Sequence, residues 1–249
     1  MTERISKTSP RLKARIAGVL YAIVFVAVFA LFTRSALVVG GDAAATASNI
    51  LGSEQRFRLA FAADLVSVAA YIGVTAILYE LLRPVSRTLA LLGAFFGLAG
   101  SAIMAVNMLN HFAPLLLLGG RGYLAAFEAE QLQALASVSL RLHTVGYNIS
   151  GVFFGLHLLV LGVLVLGATF LPRLIGLLLV IAGACYVTNS FAIFLAPAFA
   201  EHLYPYILLP GLVGEGALTL WLILVGVNSA KWRAQAGAAG GVILESENG

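Results

Sequence analysis

RLHTVGYNISGVFFGLHLLVLGVLVLG, residues Arg141–Gly167, is the stretch whose reading decides the fold. It opens on Arg141, His143, Tyr147 and Asn148, then runs apolar with His157 in its middle. From Asn148 onward it has the length of about 20 residues that crosses the hydrocarbon core of a bilayer. Gly151 and Gly155 stand four apart, a small-residue pair that lets a neighbouring backbone come close in lipid. The stretch reads as a packed membrane helix, wet at its outer end and dry in its inner half.

Five further apolar runs share this character: about Ile16–Val39, Leu59–Leu82, Leu89–Phe112, Leu174–Leu195 and Ile207–Ala230. The whole chain of 249 residues is 61% hydrophobic and 10% charged, whereas a soluble domain is about a quarter charged. That leaves no room for a separate soluble domain. The expectation is an all-α, polytopic membrane helix bundle of six transmembrane helices with short helices on its outer surface. An N-terminal tail (1–15) precedes the transmembrane domain (16–230), and a polar, disordered tail follows (231–249). The first run is too long for the apolar region of a signal peptide, although Ala43, Ala45 and Ala47 resemble a cleavage site.

Arg outnumbers Lys twelve to three, and Ala and Gly are abundant, which points to a bacterial source. With six spans, the N-terminus, the second and fourth loops and the C-terminus carry ten basic residues. The opposite side carries five: Arg34, Arg56, Arg58, Arg121 and Arg141. The positive-inside rule then places both termini in the cytoplasm and the chain in the bacterial inner membrane. Basic residues used this way set orientation, and no basic patch interleaves with aromatics, so nucleic acid is excluded as a partner. The single Cys185 lies in an apolar run and reads as a small filler.

The connections carry their own signals. Asp42 in Gly41–Ile50 (GDAAATASNI) is a candidate N-cap for a short helix through Gly52, an ordered cap over the outer mouth. Phe127–Leu140 alternates Glu128, Glu130 and Gln131 with Leu132, Leu135 and Val138, an amphipathic approach lying on the outer surface. Pro114 marks the outer end of the third span, and Tyr204, Tyr206 and Trp232 edge the sixth as an aromatic belt. GAFFG (Gly93–Gly97) and GVFFG (Gly151–Gly155) match, but on spans of opposite direction, and read as two close-packing patches.

Polar groups in hydrocarbon are costly, so their depth is informative. Counted from the cytoplasmic end, Arg34, Asp64, Asn107 and Asn148 lie roughly 27–29 Å up, and Asn189 and Glu215 roughly 22–24 Å. His111 and His143 stand slightly higher. These eight residues form a candidate outward-facing polar pocket lined by all six spans, fit for a small or lipidic ligand. The plainer alternative puts Arg34, His111 and His143 among the headgroups. Glu215, between Gly214 and Gly216, reads as inward-facing and paired with Arg34; Asp64 has Arg34 or Arg58 to choose from.

His111, His143, Asp64 and Glu215 have the composition of a catalytic zinc site, which uses three such ligands plus water. No HExxH or comparable spacing supports them, so no metal and no cofactor is assigned. Haem would need histidines at matched depth, and His157 has none; it reads as a core histidine bonded to a carbonyl or an Asn. No nucleophile elbow, phosphate loop, CxxC or dinucleotide fingerprint occurs.

The segments GDAAATASNI (Gly41–Ile50), Arg58, LYELLRPV (Leu78–Val85), GVFFGLHLLVLG (Gly151–Gly162), LPRLIGLLLVIAG (Leu171–Gly183), and Glu215 ahead of LTLWLILVG, carry a resemblance. Over about residues 12–228 the chain resembles the bacterial membrane family called domain of unknown function 4386. That resemblance implies a multi-span membrane protein and brings no catalytic residues with it. It marks Asp42, Thr46, Asn49, Arg58, His157, Pro172 and Glu215 as lying within the matching motifs. The functional expectation is an integral membrane protein binding a small or lipidic ligand. A metal-assisted hydrolase and a structural or assembly role are the alternatives, and no oligomeric state is read.

Overall fold

The computed structural model describes residues 9–120 and 122–246, with side chains through 239. Residues 1–8, Arg121 and the last three residues lie outside it, including Arg4, Lys7 and Arg121 of the charge count. The described residues form helices and no strands. Ten are α-helical: α1 (Pro10–Val24), α2 (Ala27–Leu37), α3 (Ala43–Gly52), α4 (Glu54–Leu82), α5 (Arg87–Leu118), α6 (Ala129–Gly167), α7 (Arg173–Leu195), α8 (Pro197–Leu203), α9 (Leu209–Leu224) and α10 (Ser229–Ser246).

Six candidate membrane spans emerge: Pro10–Leu37, Glu54–Leu82, Arg87–Leu118, Ala129–Gly167, Arg173–Leu195 and Tyr206–Leu224. Their surfaces are inverted relative to a water-soluble bundle. On α5, Val106 and Leu109 are 67% and 72% exposed, while Asn107 and His111 on the same turns are 5% and 0% exposed. Apolar outside and polar inside is the arrangement for lipid, where buried polar groups must satisfy one another. The protein is a multi-pass membrane protein.

Several boundaries differ from the sequence reading. The first span is interrupted between α1 and α2, where Val26, Val28 and Phe29 bond back three residues instead of four. Branched side chains at Ile23, Val24 and Val26 crowd the backbone there. The Ser67 hydroxyl donates to the carbonyl of Val24 at 2.9 Å, serving an acceptor next to the interruption. The approach to the fourth span is no separate surface helix. It is the start of the 39-residue α6, since nothing between Ala129 and Val145 breaks the ladder. Pro114 sits inside α5, which continues to Leu118.

At the other end, the sixth span stops at Leu224. Gly226, at φ +75°, turns the chain, and its N–H and that of Val225 both reach the Trp221 carbonyl. Of the tail expected to be disordered from residue 231, the described residues belong to α10 (Ser229–Ser246). Asn228 caps its start through Oδ1 on the Lys231 N–H (3.1 Å), and the Trp232 indole donates to the Leu81 carbonyl (2.8 Å). Gln235 donates to the Gly167 carbonyl and accepts from Thr169.

The described chain falls into two compact units. One comprises the residues through Ala22, Tyr71–Gly100 and those from Gly151 on. Its core is a glycine seam between α6 and α7. A Cβ built on Gly155 would lie 2.9 Å from the Gly183 carbonyl oxygen, and one on Gly162 would lie 2.7 Å from that of Gly176. The pairs repeat seven residues apart on both helices, so two backbones approach without intervening side chains. Gly93 and Gly97 of α5 instead make room for side chains, Val160 at Gly93 and His157 with Thr75 at Gly97, and His157 Nδ1 donates to the Gly93 carbonyl at 2.7 Å.

The other unit comprises Ile23–Ala70 and Ser101–Ser150. Its apolar core joins Leu37, Ile50, Phe57, Leu115 and Leu140. Asp42 caps α3 by accepting from the Ala45 N–H at 2.8 Å. Thr46 Oγ1 accepts from the Val39 N–H and donates to the Asp42 carbonyl, and Asn49 donates to the Leu37 carbonyl. These bonds, with the fully buried Ile50, tie the Gly41–Ile50 segment down rather than leaving it a free loop.

Candidate functional site

The second unit gathers polar side chains from four helices. α2 supplies Arg34, one residue past the buried Thr33. α4 supplies Asp64, two turns beyond Phe57 on the same face. α5 supplies Asn107 and His111, again one turn apart, and α6 supplies His143.

Arg34 Nη1 forms an ion pair with Asp64 Oδ2 and lies 3.2 Å from His111 Nδ1. His111 Nδ1 in turn lies 3.1 Å from the same Asp64 oxygen. A ring nitrogen carries either a proton or a lone pair, so His111 either donates to Asp64 or accepts from Arg34. The Arg34 side chain is 12% exposed and Asp64 2%, so the charges are held together in a nearly dry place. The His111 ring meets Phe57 and Phe61 edge to face, at centroid distances of 4.8 and 5.7 Å. Such an apolar collar keeps water out and strengthens each electrostatic contact inside.

His143 lies beside it, its ring centroid 5.3 Å from that of His111. Its Nδ1 is 3.3 Å from the Asn107 carbonyl, which can only accept, so in the neutral ring the proton is on Nδ1. Asn107 returns the contact by donating its amide to the His143 carbonyl at 2.8 Å. Gly146 leaves room for that carboxamide, into which a Cβ would collide. Asn110 donates to Asn107 Oδ1 and completes the clamp. Nε2 of both His111 and His143 is buried without a hydrogen-bond partner among the described residues. One ligand atom each from Asp64, His111 and His143 lies within 4.8 Å of the others.

Of the eight residues singled out in the sequence, Arg34, Asp64, Asn107, His111 and His143 therefore come together. Asn148 belongs to the same unit but donates to the Thr144 carbonyl of its own helix. Asn189 and Glu215 belong to the first unit. Arg34 is committed to Asp64, so it does not pair with Glu215, and Arg58 pairs with Glu54 on its own helix. Within the second unit the five residues form a cluster on four helices.

Glu215 has a different setting. Its Oε2 accepts from the Tyr21 hydroxyl and its Oε1 from the Tyr186 hydroxyl, both at 2.7 Å. Tyr21 stacks edge-on with Tyr71, which contacts Phe154 and His157. The two tyrosines were the residues the sequence reading missed. Their signal is position: Tyr21 and Tyr186 sit inside apolar runs rather than at the edges where aromatic belts lie.

Comparison with known proteins adds a lineage but no activity. An uncharacterised protein of Archaeoglobus fulgidus is 28% identical over 153 residues, 61% of this chain and 75% of that protein. No solved structure matches. The model of the family described as Domain of unknown function (DUF4386) matches residues 16–226. The chain belongs to that family.

Proposed function

We propose that this protein binds a small polar ligand, or the polar head of a lipidic one, at the Arg34–Asp64–Asn107–His111–His143 cluster. The observation that carries the reading is the pairing of a buried ion pair with two buried histidines whose Nε2 atoms have no partner. A structural role would be served as well or better by apolar side chains, because ionisable groups in a membrane interior are costly. Buried polar atoms without a partner call for an explanation, and a bound ligand between two such histidines supplies one.

With both termini in the cytoplasm, as the Lys and Arg distribution favours, the cluster lies toward the external side of the bacterial inner membrane. The four-residue hydrolase set loses Glu215, which has its own two tyrosine donors. The test is native mass spectrometry of the detergent-purified chain against Asp64→Asn and His143→Gln. A bound species present in the wild type and lost in both variants supports the reading. Identical spectra for all three, with no bound species, refute it.

A further inference from the structure

The chemistry of the cluster names a narrower ligand, and this step rests on the reading just given. We propose that Asp64, His111 and His143 form a site for a divalent transition metal of the zinc and iron(II) class, and that the Arg34 guanidinium is a resident stand-in for that ion.

Two imidazoles and one carboxylate are a borderline donor set. Zinc and iron(II) take it readily, whereas magnesium and calcium require oxygen donors. The three donors come from α4, α5 and α6, so the site is built by helices rather than loops. Asp64 Oδ2 and His111 Nδ1 stand 3.1 Å apart. Ligands on a tetrahedral ion with bonds of about 2.0–2.1 Å are separated by about 3.3–3.4 Å, so this edge is close to formed. The widest separation within the trio is under 4.8 Å, so closing the remaining edges takes roughly 1.4 Å at most. Three protein ligands leave a fourth position open.

The surroundings fit the same ion. With its Nδ1 proton directed at the Asn107 carbonyl, His143 keeps a bare lone pair on a buried Nε2. An imidazole oriented through one nitrogen by a carbonyl, and free at the other, is the form that ligates metals. The Asn107 and Asn110 amides lock the backbone against which His143 is held. Phe57 and Phe61 supply an apolar wall.

Arg34 supplies the remaining observation. Its Nη1 already contacts both Asp64 Oδ2 and His111 Nδ1, so a positive centre is accommodated against that edge. A divalent ion and the guanidinium cannot share that position. Binding therefore displaces Arg34, whose side chain keeps 12% exposure while Asp64 keeps 2%. Metal and arginine are alternative occupants of one site.

The test uses the full chain in detergent, stripped with a chelator and titrated with Zn²⁺, with Co²⁺ absorption as a geometric readout. The expected wild-type result is one metal per chain with tetrahedral Co²⁺ bands. Asp64→Asn and His143→Gln should each lose that binding, and Asn107→Ala should weaken it by about 10–100-fold. Arg34→Gln should bind more tightly by about tenfold or more, because no charge-assisted hydrogen bond has to be broken first. Gel filtration confirms that each variant remains folded. Wild-type protein that takes up no Zn²⁺ or Co²⁺, or that binds them as well after both ligand substitutions, overturns the metal. If a retained organic species is still lost in Asp64→Asn, the ligand reading survives that failure; if none is retained, both fall.

Discussion

Gly155 of α6 and Gly183 of α7 face each other so closely that a Cβ on Gly183 would lie 2.6 Å from the Gly155 carbonyl oxygen. No side chain can yield there, since the obstacle is backbone. Gly183→Ala should therefore destabilise the protein by about 1–3 kcal/mol, the cost of overpacking a filled interior. Gly216→Ala is the control, because nothing lies within 4 Å of its position, and it should be neutral or slightly stabilising. Thermal unfolding in detergent checks both, and equal losses would remove the seam as the explanation.

Arg34 and Asp64 should behave as one unit in a double-mutant cycle. Removing either alone leaves a buried charge without its partner and should cost about 3–5 kcal/mol. The double variant Arg34→Gln with Asp64→Asn should lose less than the sum, with coupling of about 1–3 kcal/mol. Additivity within about 0.5 kcal/mol would show that the pair does not interact.

Glu215 should depend on phenols and not on arginine. Tyr21→Phe and Tyr186→Phe each delete one 2.7 Å hydrogen bond and should each cost about 1–3 kcal/mol. Arg34→Ala and Glu215→Ala should combine additively, since each residue has its own partners. Chemical or thermal unfolding of the set decides; full stability in both Phe variants would sink the assignment.

Reporter fusions test orientation. Insertions at Ser86 and Thr169 should report cytoplasmic, and those at Ser48 and Gly120 external, following the ten-to-five division of basic residues. A cytoplasmic signal at Ser48 would reverse the arrangement.

Hydrogen exchange tests α3. Thr46–Leu51 should exchange slowly, because Thr46 and Ile50 are buried and Asn49 is bonded to the Leu37 carbonyl. Exchange at free-peptide rates throughout this segment would show a mobile loop.

Much of the fold was legible because bilayer crossing imposes length and composition. All six spans follow from apolar runs, and the α3 cap follows from Asp42 alone. Counting depth along each helix brought Arg34, Asp64, Asn107, His111 and His143 to similar levels. It could not say which helices face one another, since lipid is as apolar as the packed interior and a span shows little amphipathic signal. That is why Glu215 was matched to the nearest charge rather than to Tyr21 and Tyr186. Helix α10 was missed for another reason. Beyond the local Asn228 cap, it is held by Trp232 and Gln235 meeting the distant carbonyls of Leu81 and Gly167, and no local pattern records those partners.

The interruption of the first span has a mechanical consequence. Arg34 lies eight residues beyond Val26, about 12 Å along α2 from that joint. Treated as a rigid arm, α2 converts a swing of about 10° at the joint into a displacement of about 2 Å at Arg34. That travel is enough to carry Nη1 out of bonding range of Asp64, with the helical hydrogen bonds of α2 left intact. The Ser67 hydroxyl, donating to the Val24 carbonyl, braces the joint. A tilt of α2 alone can thus release Asp64, with no part of the bundle unfolding.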